Sequence, residues 1–307
     1  MRRLVVGANG MLGQDLVALL RERGETVRTA DRAGSDLTDS LDITDAQACL
    51  DAMKDLDVVV NCAAYTAVDD AELHESQAFA VNAVGAGNFA RAARHSGVRI
   101  VHISTDYVFD GSATAPYAED DALAPRSAYG RTKGAGEWAV RAECPDHLVV
   151  RTAWRYGAGG ACFPKTVARV VAERGGIDVV DDQVGQPTWT GDLADLIVRL
   201  VSARAASGVY HGTSSGAVSW HGFAREIVAA VGLDPQIVRP MTSGKFVRRA
   251  LRPAYSVLEH ETLVKADVAP IGDWAERWAD RVRRRVGRPR LSAPGPQQGP
   301  LRGCRRR

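Results

Sequence analysis

Hydrophobic positions along this chain fall into two alternating patterns. Short runs of β-branched and aliphatic residues ("RRLVV", "ETVRTAD", "LDVVVN", "RIVHIST", "HLVVRTAW") predict strands. Between them, "MLGQDLVALLRERG", "TDAQACLDAMKD" and "ESQAFAVNAVGAGNFARAARHSG" space their apolar residues for amphipathic helices, and the segment from Ala128 to about Cys144 predicts another. Strands that are apolar along their whole length are buried on both faces. The order therefore predicts an α/β protein whose parallel sheet is covered by helices on each side. No repeat of solenoid type is visible.

After Trp154 the alternation weakens. "RYGAGGACFPKTVARVVAERGGIDVVDDQVGQPTWTG" mixes glycine turns with one helix and a short strand, and "DLADLIVRLVSARAASG" predicts a further amphipathic helix. Beyond it, "GFAREIVAAVG", "SVLEHETLV" and "DWAERWADRV" predict helices joined by proline-containing loops, which together make a smaller lobe.

Composition narrows the function classes. In 307 residues no run approaches the ~18 apolar residues of a membrane helix, and the N-terminus lacks the order of a signal peptide, so a cytoplasmic protein with no membrane partner is expected. The five cysteines (Cys49, Cys62, Cys144, Cys162, Cys304) are scattered and form no CxxC pair, which predicts reduced thiols rather than a disulfide framework or a zinc site. No histidine spacing suits a metal, so His102 reads as a packed strand residue. The formal charge of +2 hides ten arginines and no acid in residues 281–307, which leaves residues 1–280 at −8. An acidic body argues against nucleic-acid binding, and residues 283–307 read as a basic disordered tail.

The first glycine turn carries candidate chemistry. "GANGMLG", from Gly7 to Gly13, follows a predicted strand and opens a predicted helix; glycines there let backbone N–H groups approach a pyrophosphate at the positive helix end. Asp31 ends the second strand, where an acid bonds a ribose 2′-hydroxyl, while Arg32 beside it suits a 2′-phosphate. The acid favours NADH and leaves NADPH open. The implied fold is a Rossmann-type doubly wound parallel sheet with a smaller C-terminal substrate-binding lobe. The expected dinucleotide-binding domain is 1–153 with 185–212, and the lobe is 154–184 with 213–282.

Ser104, Thr105 and Asp106 leave the carboxyl end of a strand, where ligands of open parallel sheets bind. In "AYGRTKGAGE" Tyr129 stands four residues before Lys133, so a helix sets both on one face. A phenol of pKa ~10 is a reluctant acid, and a neighbouring ammonium lowers it by stabilising the phenolate. The expected result is a Tyr129/Lys133 proton relay.

These motifs, with "DVVVNCAAYTAVDDAE", "VHISTDYVFDG", "RTAWRYG", "DQVGQPTW" and "LRPAYSVL", make the chain from Met1 to about Val282 resemble the extended short-chain dehydrogenases, and within them the dTDP-4-dehydrorhamnose reductase family. The resemblance implies NADPH or NADH as cofactor and reduction of the 4-keto group of a dTDP-4-keto-deoxysugar. It implies Gly7, Gly10, Met11, Leu12 and Gly13 at the pyrophosphate, Asp31 at the adenosine ribose, Asp42 and Ile43 by the adenine, and Ala63, Ala64, Tyr65 and Thr66 by the cofactor's middle. Tyr129, Lys133 and Thr105 are implied as catalytic, and Thr105, Asp106 and Trp154 as meeting the sugar nucleotide, with a core role for Trp154 as the alternative. Some relatives form homodimers around Mg²⁺; Asp15 and Asp192 correspond to such acids, and no metal ligand is assigned. Two positions depart from the family pattern: Gly134 replaces a bulky apolar residue, and Cys162 stands where Asn is usual. Two other readings share these motifs, a dTDP-dihydrostreptose synthase of streptomycin assembly, which contracts the sugar ring, and a non-catalytic regulatory subunit like that of methionine adenosyltransferase.

Overall fold

A computed structural model of the chain describes residues 1–245 and 247–286, with side chains described to residue 282. Seven strands form one parallel sheet: β1 (Arg2–Val6), β2 (Thr26–Asp31), β3 (Asp39–Ser40), β4 (Val58–Asn61), β5 (Arg99–Thr105), β6 (His147–Thr152) and the strand Gly208–His211. Their order is Gly208–His211, β6, β5, β4, β1, β2, β3. The chain runs outward in one direction through β2 and β3 and in the other through β4, β5 and β6, so the topological switch point lies between β1 and β4. A crevice opens at that point beyond the strands' carboxyl ends.

The two-residue period of each strand divides its side chains between two cores. Val5, Val60, Val101 and Val150 face helix α1 (Met11–Glu22) and the helix Thr190–Ser202, which contribute Leu12, Leu16, Leu20, Leu193, Ile197 and Leu200. Leu4, Val6, Val59, Ile100 and Val149 face the opposite way, onto α2 (Ala46–Ala52) and the helices Ala86–His95 and Ala128–Glu143, through Cys49, Met53, Phe89, Ala93 and Val140. This is the doubly wound α/β arrangement that the apolar runs predict. A third cluster, with Val167, Val171, Val179, Phe223, Ile227 and Val238 at its centre, packs outside the sheet and is flanked by Trp220, Trp274 and Trp278.

Three stretches differ from the pattern-based expectation. "ESQAFAVNAVGAGNFARAARHSG" is not one regular helix: Glu75–Phe79 and Ala86–His95 are α-helical, and Ala80–Gly85 between them is a π-helical turn. A wider turn of this kind is common at functional sites. Here it directs Asn82 to the loop at Tyr65, whose N–H it accepts at 2.8 Å and whose carbonyl it bonds at 3.2 Å. In "SVLEHETLV" only Glu261–Lys265 is helical. The residues before it are extended because their backbone is bonded elsewhere: Ser256 N–H to Val184 O at 2.9 Å, Leu258 N–H to the Gln186 side chain at 2.9 Å. Finally, the helix Trp274–Val286 runs on into the stretch expected as tail, so residues 283–286 are helical; residues 287–307 lie outside the described residues.

Helix Ala128–Glu143 is started by Ser127, whose Oγ accepts the N–H of Gly130 at 3.1 Å. It continues unbroken through Gly134, where an added Cβ would come no nearer than 3.6 Å to Leu123 and 3.9 Å to Val108. That is ordinary contact, so this glycine only costs helix propensity. Gly134→Ala is therefore expected to stabilise the protein by about 0.5–1 kcal/mol, read as a higher urea midpoint at unchanged slope.

Candidate active site

The carboxyl ends of the strands open into a cleft of about 840 Å³. At one end α1 enters N-terminus first, capped by Gly10 without any side chain, so its first amides point outward unpaired by the helix. Gly7 turns with φ +76°, and a Cβ on it would lie 2.6 Å from Ala63 N and 2.7 Å from Cys62 C. Gly13 lets the helix press on the turn: its Cβ would sit 2.2 Å from Gly7 O. This backbone cradle fits a pyrophosphate, because any larger side chain would fill it.

Asp31 and Arg32 both line the cleft beside the cradle. Asp31 accepts the N–H of Asn9 at 3.0 Å through one oxygen, which fixes its carboxylate next to the glycine turn. Asp42 accepts both the N–H and the hydroxyl of Thr44, at 2.9 and 2.8 Å, and these bonds hold its carboxyl below the usual range. Ile43, Ala63, Ala64, Tyr65 and Thr66 complete that wall. The Tyr65 backbone is clamped by Asn82, which also donates to Thr132 at 3.0 Å and so ties the wall to helix Ala128–Glu143. Asn82 was not among the residues expected from sequence; its signal was a buried polar position in an otherwise apolar helical face.

At the other end Ser104, Thr105, Asp106, Tyr129, Thr152 and Trp154 line the cleft. Thr105 donates to Asp106 at 2.9 Å and accepts the N–H of Tyr107 at 3.2 Å. Burial pushes Asp106 up to about 6 against the pull of the Ser256 and Thr105 hydroxyls, while the hydroxyls of Ser104 and Thr152 are buried without a partner. Groups left this way are costly unless a ligand satisfies them.

Tyr129 behaves differently from expectation. Burial raises its pKa above the ordinary phenol value, and the cation that opposes this is Arg155, assisted by the Thr105 hydroxyl, not Lys133. The reason is where the lysine points. Lys133 is 1% exposed and does not line the cleft; its Nζ donates to Ile103 O at 2.6 Å and lies 3.3 Å from His102 Nε2. Burial, chiefly, pulls Lys133 down to about 8. Arg155 lines the cleft, and among the described residues its guanidinium makes no ion pair. Sequence reasoning passed over it, although a cation between two aromatics at a strand end ("AWRYG") was a usable signal.

Trp154 is both a lining residue and a packed one. It lies flat on Trp220 with ring centroids 3.5 Å apart and planes 6° apart, on a backbone strained to φ +42°. Gly185 makes the space, since its Cβ would fall 2.5 Å from the Trp154 ring. Past this stack a second cavity of about 560 Å³ lies in the smaller lobe among Phe163, Val179, Trp220, Met241 and Leu251; Tyr107 lines both cavities. Cys162 starts the helix Phe163–Arg174 with its thiol 3.7 Å from Gly157 O. Asp15 and Asp192 are engaged away from the cleft: Asp15 accepts from Thr190 at 2.5 Å, and Asp192 accepts from Arg277 at 2.9 Å and Arg281 at 2.5 Å.

Comparison with known proteins agrees with this geometry. The family described as RmlD substrate binding domain matches residues 1–286. A dTDP-4-keto-6-deoxy-D-glucose reductase of Streptomyces niveus is 48% identical over 274 residues, covering 89% of this chain and 93% of its own. A dTDP-4-dehydrorhamnose reductase of Streptomyces griseus is 44% identical over 303 residues, covering 96% and 98%. Among solved structures, a dTDP-4-dehydrorhamnose reductase of Bacillus anthracis in complex with NADP superposes with a TM-score of 0.85 at 35% identity, covering 91% of this chain and 97% of its own.

Proposed function

This chain belongs to the dTDP-4-dehydrorhamnose reductase family described by the RmlD substrate binding domain, and from that premise we propose that it is an NAD(P)H-dependent reductase of the 4-keto group of a dTDP-4-keto-6-deoxy-L-sugar. The observation that carries the proposal is one cleft with a glycine cradle at one end and, at the other, a buried phenol beside unpartnered strand-end polar groups. Bound NADPH or NADH supplies the hydride for the C4 carbonyl. Gly7, Gly10, Met11, Leu12 and Gly13 receive the pyrophosphate on backbone amides, Asp31 bonds the adenosine ribose, and Asp42 and Ile43 border the adenine. Ala63, Ala64, Tyr65 and Thr66 flank the middle of the cofactor. Lys133 reaches the nicotinamide ribose once its Nζ leaves Ile103 O and turns toward the cleft.

Tyr129 gives its proton to the oxygen that becomes the C4 hydroxyl, and its raised pKa keeps that proton in place at neutral pH. Thr105 turns its single hydroxyl proton from Asp106 to the same oxygen, and Asp106 takes a sugar hydroxyl in exchange. Trp154 supports the sugar ring, and the apolar cavity beyond it takes the nucleoside end. The domain limits stated from sequence, with the lobe carried on to residue 286, a cytoplasmic setting and a homodimer belong to the same proposal. Among the described residues, no helix is long and apolar enough to cross a membrane.

The names of the relatives above are those of ketoreductases, which favours simple reduction over the ring contraction of a dihydrostreptose synthase. A purely regulatory role is disfavoured by the unpartnered strand-end groups around Tyr129. The test is to incubate the protein with dTDP-4-keto-L-rhamnose and each reduced cofactor while following absorbance at the dihydronicotinamide band and product NMR. Oxidation of cofactor with a six-membered L-rhamnose ring is expected; binding of cofactor without turnover on any dTDP-4-keto sugar would overturn the reading.

Substrate contact through Trp154 has its own check. Gly185→Ala drives a methyl group into the indole and tilts it off Trp220, which is expected to raise KM for the sugar nucleotide about tenfold, the equivalent of ~1.4 kcal/mol, while KM for the cofactor stays unchanged.

A further inference from the structure

Lys133 meets a chain of buried hydrogen bonds that fixes more than its position. Asn61 Oδ1 accepts the N–H of Ala63 at 3.1 Å, and this orients the amide so that Nδ2 faces His102 Nδ1 at 3.3 Å. An amide nitrogen can only donate, so Nδ1 must accept. His102 is fully buried, and burial, the chief cause, holds its pKa well below the ordinary value whether or not Lys133 is charged, so the ring is neutral and carries a single N–H. That proton therefore sits on Nε2, which is 3.3 Å from Lys133 Nζ. An N–H aimed at an ammonium sets donor against donor. A neutral amine offers a lone pair to the same N–H and still donates to Ile103 O at 2.6 Å.

We propose that His102 is a positioning residue that, with Asn61, holds Lys133 as the neutral amine in mildly alkaline solution when no dinucleotide is bound. Protonating Lys133 forces the His102 proton onto Nδ1 and breaks the bond to Asn61, so the three side chains titrate as one unit. Burial acts in the same direction on Lys133, and the neighbouring charges divide: Glu137 on the same helix favours the ammonium, Cys62 at the end of β4 adds to that, and Arg155 opposes it. His102 feels no charge but that of Lys133. The inference concerns the empty protein and holds whatever its substrate.

The full chain has five lysines and seven histidines, few enough for each to be followed by NMR after selective ¹⁵N and ¹³C labelling. In the unliganded protein Lys133 is expected to lose its proton near pH 8, roughly two units below an exposed lysine. His102, assigned through backbone connectivities, is expected in the Nε2–H form above that pH and to change tautomer below it. His102→Leu removes the donor that favours the amine and should raise the Lys133 midpoint by about one pH unit. A His102 that keeps its proton on Nδ1 throughout overturns the proposal, as does a Lys133 that stays charged past pH ~10. Both are read on the unsubstituted protein, so the decision does not depend on how the variant folds.

Discussion

Tyr129→Phe is expected to lower kcat by about 10²–10⁴ while leaving cofactor affinity essentially unchanged. The substitution removes one oxygen from a ring that is 7% exposed and packed edge-on against Tyr107 at 5.6 Å between centroids, so the cavity and its walls survive. What disappears is the phenol hydroxyl beside Thr105 in the cleft, and with it the proton that must reach the reduced oxygen. Burial keeps that phenol protonated at neutral pH, so the loss should appear as a uniformly lower rate below the phenol's pKa rather than as a displaced acid limb. Fluorescence titration of NAD(P)H against both proteins, with single-turnover rates on the dTDP-4-keto sugar, separates binding from chemistry. A variant that turns over within about fivefold of the parent removes Tyr129 from the reaction, since general acid assistance is worth far more than that.

The doubly wound sheet was legible because period-two burial and helical spacing act locally. Val58, Val59 and Val60 are fully apolar in sequence and buried in the centre of the sheet. The glycine cradle was equally plain, since Gly7 and Gly13 answer to backbone clashes that no other residue tolerates. What the sequence could not convey was direction across space. Spacing of four sets Tyr129 and Lys133 on one face of a helix, but a lysine stem reaches several ångströms, and this one ends at Ile103 O and His102 instead of beside the phenol. Arg155 reaches the field of Tyr129 from the short strand Arg155–Tyr156 that follows β6, a long-range placement with no local period. The same holds for "SVLEHETLV", whose apolar spacing suits a helix while its amides are taken by Val184 and Gln186. His102 was correctly read as packed, yet the β4–β5 register sets it against Asn61 and the helix laid over the sheet sets it against Lys133, neither of which is local in sequence.

Removing the Glu137 carboxylate is expected to be among the most damaging single changes in the sheet's helical cover. Glu137 is fully buried and Arg151, on β6, is 2% exposed; the guanidinium grips both carboxylate oxygens at 3.0 and 2.8 Å and reaches Glu119 O at 3.0 Å. Two charges taken out of water repay their desolvation only together, so Glu137→Ala strands a buried cation and should cost about 3–5 kcal/mol in urea denaturation. Glu137→Gln keeps the shape and separates a second effect. Among the charges near Lys133 this carboxylate is the largest that favours the ammonium, against a burial that has already brought the group to about 8. If that ammonium holds the nicotinamide ribose, turnover falls as pH rises through about 8, and the loss of Glu137's charge moves this alkaline limb to lower pH. The sign follows from the group: a cation made less stable gives up its proton earlier. An alkaline limb that stays in place in Glu137→Gln, in a protein that folds and binds cofactor, would mean that Lys133 does not govern it.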